Sequence, residues 1–229
     1  MIPYQRHDLV WLSDAGKDHA LRNIQNCIPS VNEREKTELI LSVPPIPAIV
    51  RRQETPEDGM LCVGFSSPRI IDGVRLRIGC KVPLDCVIEH KTPFDVVKCE
   101  AKDVSVYGKI RCKKRELLEV FVDAGNRHHI QVGCFGSAAL QMATGLPYWQ
   151  EKSDLDIYLR RQGTRHELDQ FFQQLIEYEE RFGVTIGAEI EFPGQYGVKL
   201  KELYGPGKTV LGKGLYDVRL LEKGNFPEL

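Results

Sequence analysis

Apolar and polar residues alternate along two segments in the second half of the chain. In residues 153–159 and 186–192 every second residue is apolar, which predicts two half-buried strands. Between them, apolar residues recur at helical spacing from Leu168 to Phe182, and Thr164 followed by Glu167 has the pattern of a capping box. The pattern predicts a strand, a helix and a second strand.

A strand, a glycine and a short helix are predicted just upstream. Residues 129–135 are predicted to form the strand, Gly136 and Ser137 follow, and residues 138–144 are predicted to form the short helix. Ser137 is a residue type that caps helix N-termini, so we expect it to cap this helix. A longer helix is predicted over residues 114–124.

The first half of the chain is predicted to contain short strands. Asp72-Gly73 predicts a hairpin turn, and one helix is expected over residues 17–27. The alternation of apolar and polar residues, with the turn residues between them, predicts strands at residues 7–12, 48–52, 60–65 and 74–82. In the second half of the chain, one more strand is predicted at residues 198–203.

The predicted fold class is α+β. We expect a small mixed N-terminal domain that binds substrate or carrier at residues 1–88. A catalytic α/β domain with a mixed sheet is expected at residues 89–229, because residues 83–93 mark a weak shift in composition.

Composition and charge indicate an ordinary globular protein. The 229 residues are 42% hydrophobic and 28% charged, as in ordinary globular chains, and 31 Lys and Arg against 32 Asp and Glu give a net charge of −1. This balance argues against a nucleic-acid partner. No apolar run is long enough to span a bilayer, and the first ten residues include Arg6, His7 and Asp8, so we expect no membrane association and a cytoplasmic location.

Two aspartates carry the first candidate chemistry. Asp154 and Asp156 are two residues apart in a predicted strand, so their carboxylates project from the same face. Paired carboxylates suit Mg²⁺, which prefers oxygen ligands and completes its shell with water and substrate phosphates. The alternative is that both side chains simply face water.

Gly136-Ser137 strengthens the case for a phosphate site. Glycine allows close approach of the backbone, and free N–H groups at a helix start attract phosphate. A strand, Gly-Ser, a helix and then Asp-x-Asp resemble the nucleotidyltransferase fold. In that fold a later strand supplies a third carboxylate, for which Glu189 and Glu191 are the candidates.

The resemblance extends to a family. The segments FGSAALQMATGLPY (135–148) and SDLDI (153–157) resemble the malonate decarboxylase holo-acyl-carrier-protein synthases, which are phosphoribosyl-dephospho-CoA transferases. RHDLVWL (6–12) and PAIVRR (47–52) are similar to that family's first domain. The second domain would then be nucleotidyltransferase-like. Leu140 and Gly187-Ala188 depart from the family pattern, which has Trp and Asp-Gly there.

The resemblance implies a reaction and a set of partners. Such enzymes transfer a phosphoribosyl-dephospho-CoA group from 2′-(5″-triphosphoribosyl)-3′-dephospho-CoA to a serine of the malonate decarboxylase acyl-carrier protein, and release pyrophosphate. Asp154 and Asp156 would hold Mg²⁺, and Glu189 would be the third carboxylate, as ligand or base, with Glu191 as substitute. A citrate lyase carrier stays open as the acceptor.

Cationic residues are expected to bind the phosphates. Lys199 lies on the strand predicted after Pro193-Gly194, and Lys213 lies in a Val-Leu-Gly-Lys stretch that resembles the family. Arg51 and Arg52 follow an apolar strand, and arginine suits bidentate phosphate contact, so we expect one of them to bind substrate.

Two other functions are compatible with the same residues. One is a nucleotidyltransferase that uses an ordinary nucleoside triphosphate, because the carboxylates alone do not distinguish the donors. The other is a non-catalytic module that binds the carrier protein or a nucleotide. The metal pair argues against the module, which has no need of it.

Overall fold

The computed structural model describes residues 4–54, 56–98, 108–150 and 153–226, which form helices and two β-sheets. The helices are α1 (Asp14–Arg22), α2 (Glu33–Ile40), α3 (Pro93–Val97), α4 (Gly108–Arg127), α5 (Gly136–Thr144), α6 (Arg165–Phe182) and α7 (Leu200–Tyr204). The strands are β1 (Leu9–Leu12), β2 (Ile24–Ile28), β3 (Ala48–Val50), β4 (Met60–Ile71), β5 (Val74–Pro83), β6 (Val87–Lys91), β7 (Ile130–Cys134), β8 (Leu155–Arg161), β9 (Ile186–Phe192), β10 (Tyr196–Lys199), β11 (Thr209–Lys213) and β12 (Val218–Glu222). This content confirms the predicted α+β class.

The first sheet has the strand order β2-β5-β4-β3-β1-β6, and its described pairs are antiparallel. Strands β4 and β5 form the predicted hairpin, and Asp72 and Gly73 both have the positive φ (49° and 78°) that a tight turn requires. One face buries a core that includes Val63 and Ile78, with α1 and α2 packed nearby.

The second sheet has the order β12-β11-β10-β9-β8-β7, in which β8 and β9 run parallel and α6 connects them. The alternation predicted for β8 is confirmed, since Leu155, Ile157 and Leu159 are fully buried. They pack in one core with Phe121 of α4 and Phe171 of α6, whose ring centroids are 6.1 Å apart. This packing fixes the face from which the aspartates project.

Three local predictions are wrong. Residues 24–28 are not helical, because they pair with β5 as β2. The strand predicted over residues 198–203 ends at Lys199, where α7 begins. Ser137 does not cap α5, because the helix already begins at Gly136; Phe135 is its N-cap and makes no capping hydrogen bond through its side chain.

Strand β6 pairs with β1 and extends to Lys91, so the proposed division between residues 88 and 89 falls inside it. That boundary stays a prediction. Within the described ranges, no helix is both long enough and apolar enough to cross a membrane.

Candidate active site

Asp154 and Asp156 lie where β8 begins. Asp154 directly precedes the strand and is exposed, whereas Asp156 is half-buried and pairs with Gly187 of β9. The carbonyl of Asp156 accepts a hydrogen bond from the backbone N–H of Phe135, at 3.1 Å. The Asp156 carboxylate therefore lies beside Gly136, at the start of α5.

Two glycines make room for the Asp156 carboxylate. Gly136 has a φ of +67°, and a Cβ at this position would overlap Oδ2 of Asp156. A Cβ on Gly187 would lie 2.6 Å from Oδ1 of the same carboxylate. Glycine is thus required on both sides, and an Asp at position 187, as in the family pattern, would need a different arrangement here.

The charge around Asp156 favours a bound cation. Burial, with the negative charges of Asp154 and Glu189, raises the pKa of Asp156 to about 6. In the part of the chain that the structure describes, no three His, Cys, Asp or Glu side chains form a metal-binding group. Two carboxylates are nevertheless a fitting donor set for Mg²⁺, which takes its other oxygens from water and phosphate.

Glu189, the predicted third carboxylate, is buried and held by cationic side chains. Its Oε2 lies 3.1 Å from Nε2 of His7, and its Oε1 lies 3.3 Å from Nζ of Lys213. Nη1 of Arg6 is 3.8 Å from Oε2. Burial pushes the pKa of Glu189 up, but the hydrogen bond and charge of His7, together with Arg6 and Lys213, outweigh it and lower the pKa to about 2.

The segment before β1 brings Arg6 and His7 to the second sheet. Arg6 donates from Nη1 to the carbonyl of Lys213, at 2.9 Å, and the His7 ring lies 4.1 Å from the Phe135 ring. His7 has a φ of +75°, which is costly for a non-glycine residue. Its backbone N–H donates to the carbonyl of Val50, at 3.2 Å, which ties this segment to the first sheet.

A cavity of about 450 Å³ joins the two sheets beside Gly136 and Ser137. Three arginines line it, so we call it the arginine cavity: Arg51, Arg75 and Arg77. Its other lining residues are apolar, small or neutral: Asn26, Ile28, Ile49, Gly64, Phe65, Ser66, Ile78, Gly79, Leu140 and Tyr148. Arg51 is therefore placed near the predicted phosphate site.

Three further candidates are engaged elsewhere. Glu191 accepts two hydrogen bonds from the guanidinium of Arg160, at 2.6 and 2.7 Å. Arg52 pairs with Glu54 at 2.6 Å and does not line the arginine cavity. The exposed Lys199 has its Nζ 3.7 Å from Glu202. The structure brings none of them to the aspartates.

Comparison with known proteins covers both halves of the chain. A family model for the phosphoribosyl-dephospho-CoA transferase MdcG C-terminal domain matches residues 105–224. A second model, for the N-terminal domain of the same transferase, matches residues 5–93. The chain belongs to the phosphoribosyl-dephospho-CoA transferase family. It is a transferase, and this confirms the resemblance seen in the sequence.

Curated relatives carry the same name. A phosphoribosyl-dephospho-CoA transferase of Xanthomonas euvesicatoria pv. vesicatoria is 24% identical over 220 residues, which cover 95% of this chain and 94% of the relative. Another, of Xanthomonas axonopodis pv. citri, is 29% identical over 106 residues, which cover 46% of this chain and 49% of that protein. No solved structure matches the chain significantly.

Two residues near the candidate site were missed by sequence reasoning. Arg6 and His7 reach Glu189 from a distance of more than 180 residues along the chain. The available signal was the RHDLVWL segment, which resembles the family's first domain. Lys213, in contrast, was predicted and lies in the same cluster.

Proposed function

We propose that this transferase moves the phosphoribosyl-dephospho-CoA group from 2′-(5″-triphosphoribosyl)-3′-dephospho-CoA to a serine of the malonate decarboxylase acyl-carrier protein. The serine oxygen bonds to the α-phosphorus, the bond from that phosphorus to the β-phosphate oxygen breaks, and pyrophosphate leaves. The observation that supports this best is the carboxylate pair Asp154–Asp156 beside Gly136, within the part of the chain that matches the family's C-terminal domain.

Asp154 and Asp156 would hold Mg²⁺. Bound there, the ion would supply positive charge to the triphosphate and to the leaving pyrophosphate. Burial and the neighbouring carboxylates raise the pKa of Asp156, and a cation held by the pair would offset this concentration of negative charge. Asp154 is exposed, which leaves its side open to substrate.

Gly136 and Ser137 would hold the phosphates through the backbone. They form the first turn of α5, where N–H groups lack partners within the helix and where the helix dipole favours an anion. Lys213, which we predicted as a phosphate contact, has its Nζ 3.3 Å from Oε1 of Glu189 and would supply a cationic side chain to this site. In this role it would balance charge on the triphosphate.

Glu189 would position His7 rather than bind metal. With a pKa near 2, and with His7, Arg6 and Lys213 as neighbours, its carboxylate is a poor proton acceptor. Burial lowers the pKa of His7, which favours a neutral imidazole with one nitrogen free to accept a proton. We therefore assign the proton of the serine hydroxyl to His7.

The test uses the purified transferase, the apo carrier protein and labelled triphosphoribosyl-dephospho-CoA. We expect a mass increase of the carrier and an equal amount of pyrophosphate, both lost with a carrier in which the acceptor serine is alanine. Chelation should abolish turnover, and added Mg²⁺ should restore it. Asp156→Asn should lower turnover on the order of 10²-fold or more, because charge stabilisation dominates phosphoryl transfer.

Other outcomes would contradict this function. Full turnover by Asp156→Asn at saturating Mg²⁺ would rule out the metal assignment. Transfer of AMP from ATP, with no use of the dephospho-CoA donor, would support an ordinary nucleotidyltransferase. Tight binding of donor and carrier without any transfer would support a non-catalytic module. A parallel assay with the citrate lyase carrier measures which acceptor is preferred.

A further inference from the structure

The outer face of the first sheet concentrates positive charge. Because side chains alternate along a strand, Arg75 and Arg77 project from the face of β5 opposite to the buried Leu76 and Ile78. Arg51, directly after β3, also lines the arginine cavity. Three guanidinium groups therefore share one concave surface.

The floor of the cavity is shaped for Arg51. Gly64 of β4 and Gly79 of β5 are paired neighbours, and the Arg51 side chain lies across both. A Cβ on Gly64 would lie 2.8 Å from Cδ of Arg51, and one on Gly79 would overlap Nη1. Nη1 also donates to Oδ1 of Asn26, at 3.3 Å. The Arg51 side chain thus lies against the sheet.

The charge of the cavity is not balanced by acidic residues. Arg75 donates to the carbonyls of Ser67 and Tyr148, both at 2.7 Å, and both acceptors are neutral. Among the residues that the structure describes, no carboxylate lies within ion-pair distance of Arg51, Arg75 or Arg77, and none lines the cavity. Such an excess of arginine suits an anion that accepts several hydrogen bonds, such as a diphosphate.

The opposite wall is apolar and suits an organic ring. Leu140 of α5 and Tyr148 line the cavity together with Ile28 and Ile49. A cleft with an apolar wall and a few converging polar groups is typical of nucleotide and cofactor sites. An anion site for inorganic ions alone would not need this wall.

The cavity continues into the candidate active site. Gly136 and Ser137 line one end, and Gly136 is also the residue that makes room for Asp156. The proposed donor carries two anionic groups, the triphosphate that reacts and the diphosphate within its dephospho-CoA part. With the triphosphate at Asp154 and Asp156, the remainder of the donor needs a second cationic site nearby.

We infer that the arginine cavity binds the diphosphate of the dephospho-CoA part of the donor, with the adenine against the apolar wall; this inference rests on the proposed function. Arg51 and Arg77 contact the diphosphate oxygens, and Arg75 fixes the wall through Tyr148. A donor with a second anionic group thereby gains contacts that the reacting triphosphate alone does not make.

The test measures binding of dephospho-CoA itself, which lacks the reacting triphosphate, by calorimetry without metal. We expect the wild-type protein to bind it, and Arg51→Gln and Arg77→Gln to weaken binding about tenfold or more each, since each removes charge-assisted hydrogen bonds. Arg34→Gln is the matched control, because Arg34 is an exposed arginine of the same half that pairs with Glu38. Circular dichroism checks that every variant is folded.

Ligand fragments and kinetics separate this inference from the proposed function. Adenosine and inorganic pyrophosphate should each bind more weakly than dephospho-CoA, and Arg77→Gln should raise the KM for the donor with little change in kcat. Equal binding of dephospho-CoA by wild type and both arginine variants would overturn the cavity assignment, even if transfer proceeds. Arginine-dependent binding without transfer would overturn the proposed function and leave the cavity assignment intact.

Discussion

At the scale of single residues, Glu189 is the side chain whose surroundings differ most from expectation. A metal ligand or a general base should have a free lone pair, yet this carboxylate contacts His7, Arg6 and Lys213. Its folded pKa is lower than its unfolded value of about 4.3, so its interactions stabilise the fold above about pH 4. That contribution is lost as the pH falls toward 2.

We expect Glu189→Gln to lower the transfer rate on the order of 10²-fold, because the imidazole of His7 would lose its orienting carboxylate. Glu191→Gln is the matched control, since its Arg160 pair lies apart from the aspartates and it should keep most activity. Rates per folded molecule, with unfolding curves for both variants, provide the measurement. A larger loss in Glu191→Gln would reverse the assignment.

Asp8 offers a pH-dependent prediction. It is 2% exposed, its Oδ2 accepts a hydrogen bond from the backbone N–H of Gln5 at 2.9 Å, and its buried Oδ1 has no hydrogen-bond partner among the described residues. Burial raises the pKa of Asp8 to about 6. In the unfolded chain Asp8 loses its proton at a lower pH than in the folded protein. The free energy of unfolding should therefore fall as the pH rises from about 4 to above 6, by up to about 3 kcal/mol.

Urea unfolding of wild type and Asp8→Asn at about pH 4.5 and about pH 7.5 measures this contribution. We expect wild type to lose stability relative to Asp8→Asn over that interval. Asp58→Asn is the control, because Asp58 is exposed and its substitution leaves the buried charge in place. Parallel pH curves for wild type and Asp8→Asn would contradict the prediction.

Part of the candidate site could be predicted from residue types and spacing. Asp154 and Asp156 are two residues apart at the start of β8, and Gly136 lies two residues after the end of β7, which pairs with β8, so local patterns were sufficient to predict these positions. The contact of His7 with Glu189 joins distant segments, and periodicity carries no information on such a pair. The roles of all these residues stay predictions.

At the scale of elements, α6 illustrates a local signal that the structure confirms. Thr164 and Glu167 form a capping box: the Glu167 N–H donates to Oγ1 of Thr164 at 3.3 Å, and the Thr164 N–H donates to Oε2 of Glu167 at 2.7 Å. Thr164→Ala should therefore lower the free energy of unfolding by about 1 kcal/mol.

The transfer rate of Thr164→Ala should be unchanged, because α6 packs on the face of β8 that is opposite to Asp156. Phe171 of α6 lies in the core with Ile157, whose side chain projects away from the face of Asp156. Chemical denaturation measures the loss, and Thr164→Ser is the control because it keeps the hydroxyl. Equal destabilisation by both substitutions would assign the effect to the lost methyl group rather than to the cap.

The elements that could not be predicted are those decided by long-range pairing. The segment of β2 has helical spacing, but its partner is β5, about fifty residues away, and its edge position leaves Ile28 62% exposed. Strand β12 is mostly exposed and so has no clear apolar periodicity. In contrast, β8 and β9 were predicted because one face of each lies on the core, so an apolar residue stands at every second position of the sequence.

At the scale of the whole molecule, hydrogen bonds connect the two sheets at several points. The hydroxyl of the fully buried Tyr148 donates to the carbonyl of Ser66 at 2.8 Å. Arg75 donates to the carbonyl of Tyr148, and the N–H of Gln53 donates to the carbonyl of Leu215 at 2.7 Å. Buried contacts of this kind favour joint unfolding of both halves, although each has a core of its own.

Tyr148→Phe tests whether the halves unfold together. The substitution removes one buried hydrogen bond and should lower the free energy of unfolding by about 1 to 2 kcal/mol. If both sheets form one cooperative unit, the denaturation midpoint shifts while the m-value stays at the wild-type value, because the same surface becomes exposed. Tyr216→Phe is the control, since Tyr216 is 45% exposed. Two separate transitions, of which Tyr148→Phe moves only one, would show that the halves unfold independently and that the candidate site can lose Arg6 and His7 while the second sheet stays folded.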